Sequence, residues 1–440
     1  MKASAIVMAM PLAAIPIHAA FAAGSPTPID NLQPSLALNE LILTSGFFPT
    51  SGSGTAEGDK LGFVYDFAGG FTPHGASPAQ GQLLPIQVNT PLFLLLGARY
   101  GGNGISNFAL PNLQGSAIVG AGSGAGSTPR PLGSVAGSPS VTLTSAEVPT
   151  RGATSAAVPY NTVQPSLALE PLIAVNAPDP SGSSEAATFI GQIAYFAGNF
   201  VPAGWALADG QTLSIASNPV LFSVIGTTYG GNGTTTFQLP DLIGRIAIGA
   251  DAANPLGSEK GSETVDVTRS NLPGAAEQPV SNDQPSLAVN YLIDIDGLFP
   301  TATGGGFSPT TATIGEIVPY AGTTAPPGWR FANGQILPIN EFPALFAVLG
   351  NTYGGDFPFN FALPNLDGRT VIGDSSLYPE GDAVGADDFL LTSAELPAGT
   401  AVPEPATWAM MALGFAAMGF FALRRGAAAP ALAREGSWPD

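Results

Sequence analysis

The chain has 440 residues, of which 45% are apolar and only 10% charged, with 56 glycines and 42 prolines. That balance fits packed strands joined by many turns and excludes a disordered low-complexity polymer. Its 13 Lys and Arg against 32 Asp and Glu leave a formal charge of −19, which repels phosphate backbones and excludes nucleic acid as a partner, while the absence of cysteine removes disulfides, thiol chemistry and Cys-containing zinc sites.

Residues 1–23 read as a secretory signal peptide. Lys2 precedes an apolar run from Ala3 to Ala20, and Ala20-Phe21-Ala22 fits a small-residue cleavage pattern. An exported chain without cysteine must be held together by packing alone. The segment 24–60 follows and contains QPSLAL from Gln33.

The chain then repeats itself. QPSLAL at Gln33 recurs at Gln164 and, as QPSLAV, at Gln284, and Tyr-Gly-Gly recurs at Tyr100, Tyr229 and Tyr353. Each Tyr-Gly-Gly is preceded by Phe-Ala-Gly or Tyr-Ala-Gly (Phe67, Phe196, Tyr320) and followed by Phe-x-Leu-Pro-Asx-Leu-x-Gly (Phe108, Phe237, Phe361). Periods this long are copies of a domain, too large for solenoid units. The copies span 61–175, 190–300 and 314–400.

Within the second copy, Gly191 to Gly198 is short, β-branched and aromatic, and predicts a strand. Trp205 to Asp209 predicts another, ending at Asp209-Gly210, a pair suited to a tight type I′ turn, as is Asn333-Gly334 in the third copy. Asn218-Pro219, and Asn340 ahead of Pro343, predict helix starts. The apolar set Leu221, Phe222, Val224 and Ile225 then gives about two turns before Gly226. Tyr229 to Gly233 must be a tight positive-φ loop, and Arg245 to Gly249 alternates as a strand. The fold class is α+β, mainly β, with one short helix per unit.

These residues carry a resemblance. Gly191 to Gly249 resembles the phage tail collar domain, found in short tail fibres of contractile phages and in the microcystin-dependent protein family, and Gly315 to Gly373 resembles it almost as well. Gly62 to Gly120 is degenerate: Ala76 stands where Trp205 and Trp329 stand, and Gln80-Gly81 replaces Asp209-Gly210. The later strands of the family unit match SETVDV from Ser262 and NDQPSLAVNY from Asn282. The family's His-x-His after Leu-Pro, a potential metal pair, is absent after Pro149, Pro273 and Pro397, so no metal is carried over, and no cofactor. If the unit ends with the QPxLxLN strand, copies one and two are whole, copy three lacks that strand, and an orphan one, Gln33 to Pro49, sits at the N-terminus. Two arrangements fit this phase. One is a pseudo-threefold ring closed by the orphan strand, leaving no open edge; the other is three units on loops.

At the other end, Pro405 to Leu423 is an uncharged stretch long enough for a transmembrane helix, followed by Arg424 and Arg425. Val402-Pro403-Glu404-Pro405, the span and the arginines together resemble the PEP-CTERM sorting signal of exopolysaccharide-producing Gram-negative bacteria. The resemblance implies a membrane anchor through that helix until an exosortase cuts near the motif, and then a cell-surface or extracellular location. It departs from the family in the tail 426–440 that follows the arginines.

No nucleophile elbow, metalloprotease helix, phosphate loop or Cys-His pair is present. GAGSGAG at Gly120 runs into Ser-Thr-Pro-Arg-Pro and cannot open a helix. Asp241 and Asp367 are placed to pair with Arg245 and Arg369, and Asp294 and Asp296 are either strand-end decoration or a weak calcium contact. No catalytic residue is assigned. The loops holding Tyr100 and Asn103, Tyr229 and Asn232, and Tyr353 and Asp356 combine aromatic and polar groups of the kind that stack on and hydrogen-bond to sugars; the other reading packs each tyrosine inward. Two functions remain: a structural or adhesive surface protein, or a module binding exopolysaccharide or another surface glycan.

Overall fold

The computed structural model describes residues 29–397 except 57–60, 125–126, 150–155, 157–159, 182–185, 274–278 and 302–310. The expected signal peptide (1–23), the apolar span from Pro405 to Leu423, the tail 426–440 and the motif residues Val402, Pro403, Glu404, Pro405, Arg424 and Arg425 lie outside the described residues. Among the described residues, no helix is long and apolar enough to cross a membrane.

The core is carried by β1 (Ser35–Leu43), β2 (Phe63–Phe67), β3 (Ala117–Gly120), β4 (Ser166–Ala174), β5 (Ile193–Phe196), β6 (Ile246–Gly249), β7 (Ser286–Asp294), β8 (Glu316–Tyr320) and β9 (Thr370–Gly373). The QPSLAL segments form β1, β4 and β7, each 9 residues long and buried on both faces, as expected of central strands read as near-continuous apolar runs. Each of the three joins two repeats. β4 runs parallel to β3 of the first copy and antiparallel to β5 of the second. β7 runs parallel to β6 and antiparallel to β8. β1 runs parallel to β9 of the third copy and antiparallel to β2 of the first. The N-terminal strand thus stands in the third copy where β4 and β7 stand in the others.

The strands converge on small residues. Ala37, Ala168 and Ala288, at the same place in β1, β4 and β7, are fully buried in one cluster with Val119, Ile246, Ile248 and Ile372. The glycines ending β3, β6 and β9 are required by close approach. A Cβ on Gly120 would lie 1.9 Å from the Leu242 carbonyl oxygen, on Gly249 1.8 Å from that of Leu366, and on Gly373 2.2 Å from that of Leu113. In each case the contact is made with the next repeat in cyclic order. The buried glutamines link the same segments: Gln33 N–H donates to Gln164 Oε1 at 3.1 Å, and Gln284 N–H to Gln33 Oε1 at 3.3 Å.

Three α-helices occur among the described residues: α1 (Thr90–Leu96), α2 (Pro219–Ile225) and α3 (Pro343–Leu349). Each carries proline in its first turn and ends at glycine, with φ of 59°, 57° and 58° at Gly97, Gly226 and Gly350. Two local expectations need correction. Asn218 does not cap α2 through its side chain, because its Nδ2 donates back to the Ser214 carbonyl, and α3 is preceded by Phe342 where Asn340 was expected. The chain does turn at Asp209-Gly210, with Gly210 at φ 73°, and the strands on either side have different partners. Trp205–Leu207 pairs with β4, whereas Thr212–Ser214 pairs with Thr236–Gln238, so the turn passes the chain from the central sheet to an outer two-stranded one.

Candidate functional site

Each Tyr-Gly-Gly loop follows the glycine that ends its helix. The turn is tight for a steric reason: a Cβ on Gly231, at φ 95°, would lie 2.4 Å from the Phe237 Cα. Folding back this closely turns the tyrosine toward the neighbouring repeat. Tyr100 Oη donates to the Ala197 carbonyl at 2.8 Å, Tyr229 Oη to that of Ala321 at 3.1 Å, and Tyr353 Oη to that of Ala68 at 3.1 Å. The three acceptors are the alanines of Phe-Ala-Gly or Tyr-Ala-Gly, always one repeat ahead in cyclic order. The N–H of each alanine is also taken by the preceding repeat: Ala197 donates to Gly62, Ala321 to Gly191 and Ala68 to Gly315. Burial raises the pKa of all three tyrosines above the ordinary phenol value, so the hydroxyls remain donors over the working pH range.

The polar loop residues are engaged locally. Asn103 Oδ1 accepts the N–H groups of Ile105, Ser106 and Asn107, and Asn232 Oδ1 accepts those of Thr234, Thr235 and Thr236. They fold the loop as Asx turns do. Asp356 is exposed in the third loop, where its N–H donates to Asn360 Oδ1 at 2.7 Å. That loop differs from the others in presenting Phe357 and Phe359, 67% and 75% exposed. Their signal in the sequence is the replacement of Gly-Thr-Thr-Thr by Phe357-Pro358-Phe359-Asn360.

The Phage Tail Collar Domain description matches residues 62–118, 191–247 and 315–371, and the PEP-CTERM protein-sorting motif matches residues 401–425. The chain carries three phage tail collar domains. No curated protein and no solved structure matches it. The sorting motif marks an exported protein of Gram-negative bacteria and implies processing by an exosortase.

Clefts open between consecutive collar domains. One, of about 590 Å³, is lined by Leu132, Glu170, Leu207, Asp209 and Asp241; its counterpart one domain on, of about 400 Å³, is lined by Leu256, Asn290, Phe331, Asn333 and Asp367. The first is rich in carboxylates, the second in amides with two aromatic rings, Tyr291 and Phe331. Asp241 is held by Arg245 at 2.5 Å, which also binds Glu259 at 3.0 Å, whereas Arg369 donates to the Asn365 carbonyl.

Trp205 and Trp329 are buried against Phe63 and Phe189, with ring centroids 5.1 and 5.3 Å apart, and form part of the domain cores. Asp294 is buried as well, and its Oδ1 accepts the Asp296 N–H at 2.9 Å, which makes it a turn residue at the end of β7. Among the described residues, no group of three or more His, Asp or Glu is placed to hold a metal ion.

Proposed function

We propose that the chain is a non-enzymatic, exported cell-surface or extracellular-matrix protein with a structural or adhesive role. Its collar domains occupy 61–175, 190–300 and 314–400, and the segment 24–60 completes the third, giving a pseudo-threefold ring in one chain. The observation that carries this reading is the cyclic exchange between domains: three long strands and three tyrosine hydroxyls each pass from one domain to the next, and the last returns to the first. Such interlocking suits a rigid load-bearing body, and it spends the tyrosines on structure. In this reading the signal peptide exports the chain, the span 405–423 holds it in the membrane, and an exosortase then cuts near 402–405.

A second reading, glycan or exopolysaccharide binding, is favoured by the exposed Phe357 and Phe359 beside Asp356, since flat aromatic faces with adjacent polar groups suit sugar rings. Titration of the exported chain with the producing organism's exopolysaccharide, beside an unrelated polysaccharide and with and without calcium, separates the two. Selective saturable binding establishes the second reading; absence of binding in every condition leaves the structural one.

A further inference from the structure

We infer that the outer face of the first collar domain is a self-association surface, where one copy of this chain meets a second copy. The face consists of the hairpin strand Leu83–Pro85, the turn Ile86–Val88, α1 and the loop after Tyr100. Leu83 is 59% exposed, Val88 74%, Leu94 69% and Ile105 87%. They belong to one module, because Leu83–Pro85 pairs with Asn107–Ala109 and the Ile86 N–H donates to the Ser106 carbonyl at 3.0 Å.

The other two domains provide an internal comparison at the same positions. In the second domain the four residues are Thr212, Ser217, Ser223 and Thr234, all exposed and all hydroxylic. In the third they are Ile336, Glu341, Ala347 and Pro358, so a carboxylate interrupts the face. One scaffold position therefore shows water-compatible side chains in one copy and four apolar ones in another. Neither folding nor packing of the domain requires the difference, since the second copy folds the same way without it. Four exposed apolar side chains on one module, where the second domain carries four hydroxyls, are the surface chemistry of an interaction site.

Charge selects the occupant. The chain carries a formal charge of −19, yet residues 67–146 contain no Asp or Glu and include Arg99 and Arg130. Two copies of so acidic a chain repel each other over most of their surfaces. The stretch 67–146, which carries this face and holds no Asp or Glu of its own, is the place where they can approach without opposing carboxylates, and a two-fold contact there would bury the same apolar residues from both sides.

Sedimentation equilibrium on the exported chain tests this, with the variant Leu83→Thr, Val88→Ser, Leu94→Ser, Ile105→Thr, which copies the second domain's own residues. The wild type is expected at the mass of two chains, with association strengthened when salt is raised from ~0.05 to ~0.5 M because like-charge repulsion is screened. The quadruple variant is expected at the mass of one chain, with the thermal unfolding of the wild type at dilutions where both are monomeric, and Ser223→Asp on the second domain is expected to change nothing. A wild type that stays monomeric at all concentrations overturns the inference. So does association that survives the quadruple substitution, and so does a face that binds neutral phosphatidylcholine vesicles while the chain remains monomeric.

Discussion

The Tyr100 hydroxyl donates to the Ala197 carbonyl at 2.8 Å, across the boundary between the first and second collar domains. Tyr100→Phe removes the donor and leaves that carbonyl unsatisfied in a buried seam. The expected loss is about 1–2 kcal/mol of unfolding free energy, read from denaturant titration. Hydrogen exchange locates it: protection should fall on both sides of the seam, around Tyr100 and around Ala197, and not in the third domain. Tyr229→Phe moves the effect one domain on.

The closing role of β1 gives a second prediction. Deleting residues 24–50 removes the partner of β9 in the third domain and of β2 in the first. Amide exchange should accelerate at Thr370–Gly373 well before Ile246–Gly249, which keeps its own partner β7. Uniform acceleration, or none, would contradict the pairing.

Buried carboxylates set the pH response. Glu40 and Asp66 face each other across β1 and β2, buried, with neither Glu40 oxygen hydrogen-bonded. Burial, with Asp66 and Asp374 adding repulsion, raises the Glu40 pKa well above the usual value, and burial pushes Asp66 up to about 7. The groups packed against the pair are Tyr195 and Tyr291, which feel its charge. A carboxyl with a raised folded-state pKa stabilises fully below its unfolded pKa near 4, and that contribution is lost as pH rises through about 7. Thermal stability should therefore be higher at about pH 5 than at about pH 8 by at least ~1 kcal/mol. Asp66→Asn should lessen the slope and raise stability on the alkaline side, while Glu40 and Asp294, which burial raises as well, keep part of it.

Much of this body was legible in the sequence because the repeats are near copies. QPSLAL, Tyr-Gly-Gly and Leu-Pro-Asx-Leu recur with their helix between, so the strands, the two-turn helices and the glycine-ended loops could be read from one copy and carried to the next. The choice between the two readings of the tyrosines, outward to a sugar or inward, could not, because it depends on a carbonyl in another domain, Ala197 for Tyr100. The Asp209-Gly210 turn has the same limit. Local turn chemistry is the same whether the flanking strands pair with each other or, as here, with β4 and Thr236–Gln238. Asn218 shows the same limit on a smaller scale, since a capping residue type can be spent on the preceding turn.

If the third loop contacts sugar, Phe357→Ser with Phe359→Ser should lower polysaccharide affinity about tenfold or more, as expected for losing stacked aromatic contacts worth about 1 kcal/mol each or more. Both rings are largely exposed, and Phe357 stacks on Phe346 with centroids 6.1 Å apart, so unfolding should shift by no more than about 1 kcal/mol. Equal affinity of the variant would remove this loop from the binding reading.

The most direct test of the exported surface role follows the chain through the producing cells. Fractionation with an antibody against the collar domains would be run on wild type and on a Pro403→Ala, Glu404→Ala variant. The prediction is wild-type chain at the surface or in the matrix, shortened at its C-terminal end, and variant chain held uncut in the membrane fraction. Wild-type chain found in the cytoplasm, or a variant that is released and cut like the wild type, would contradict it.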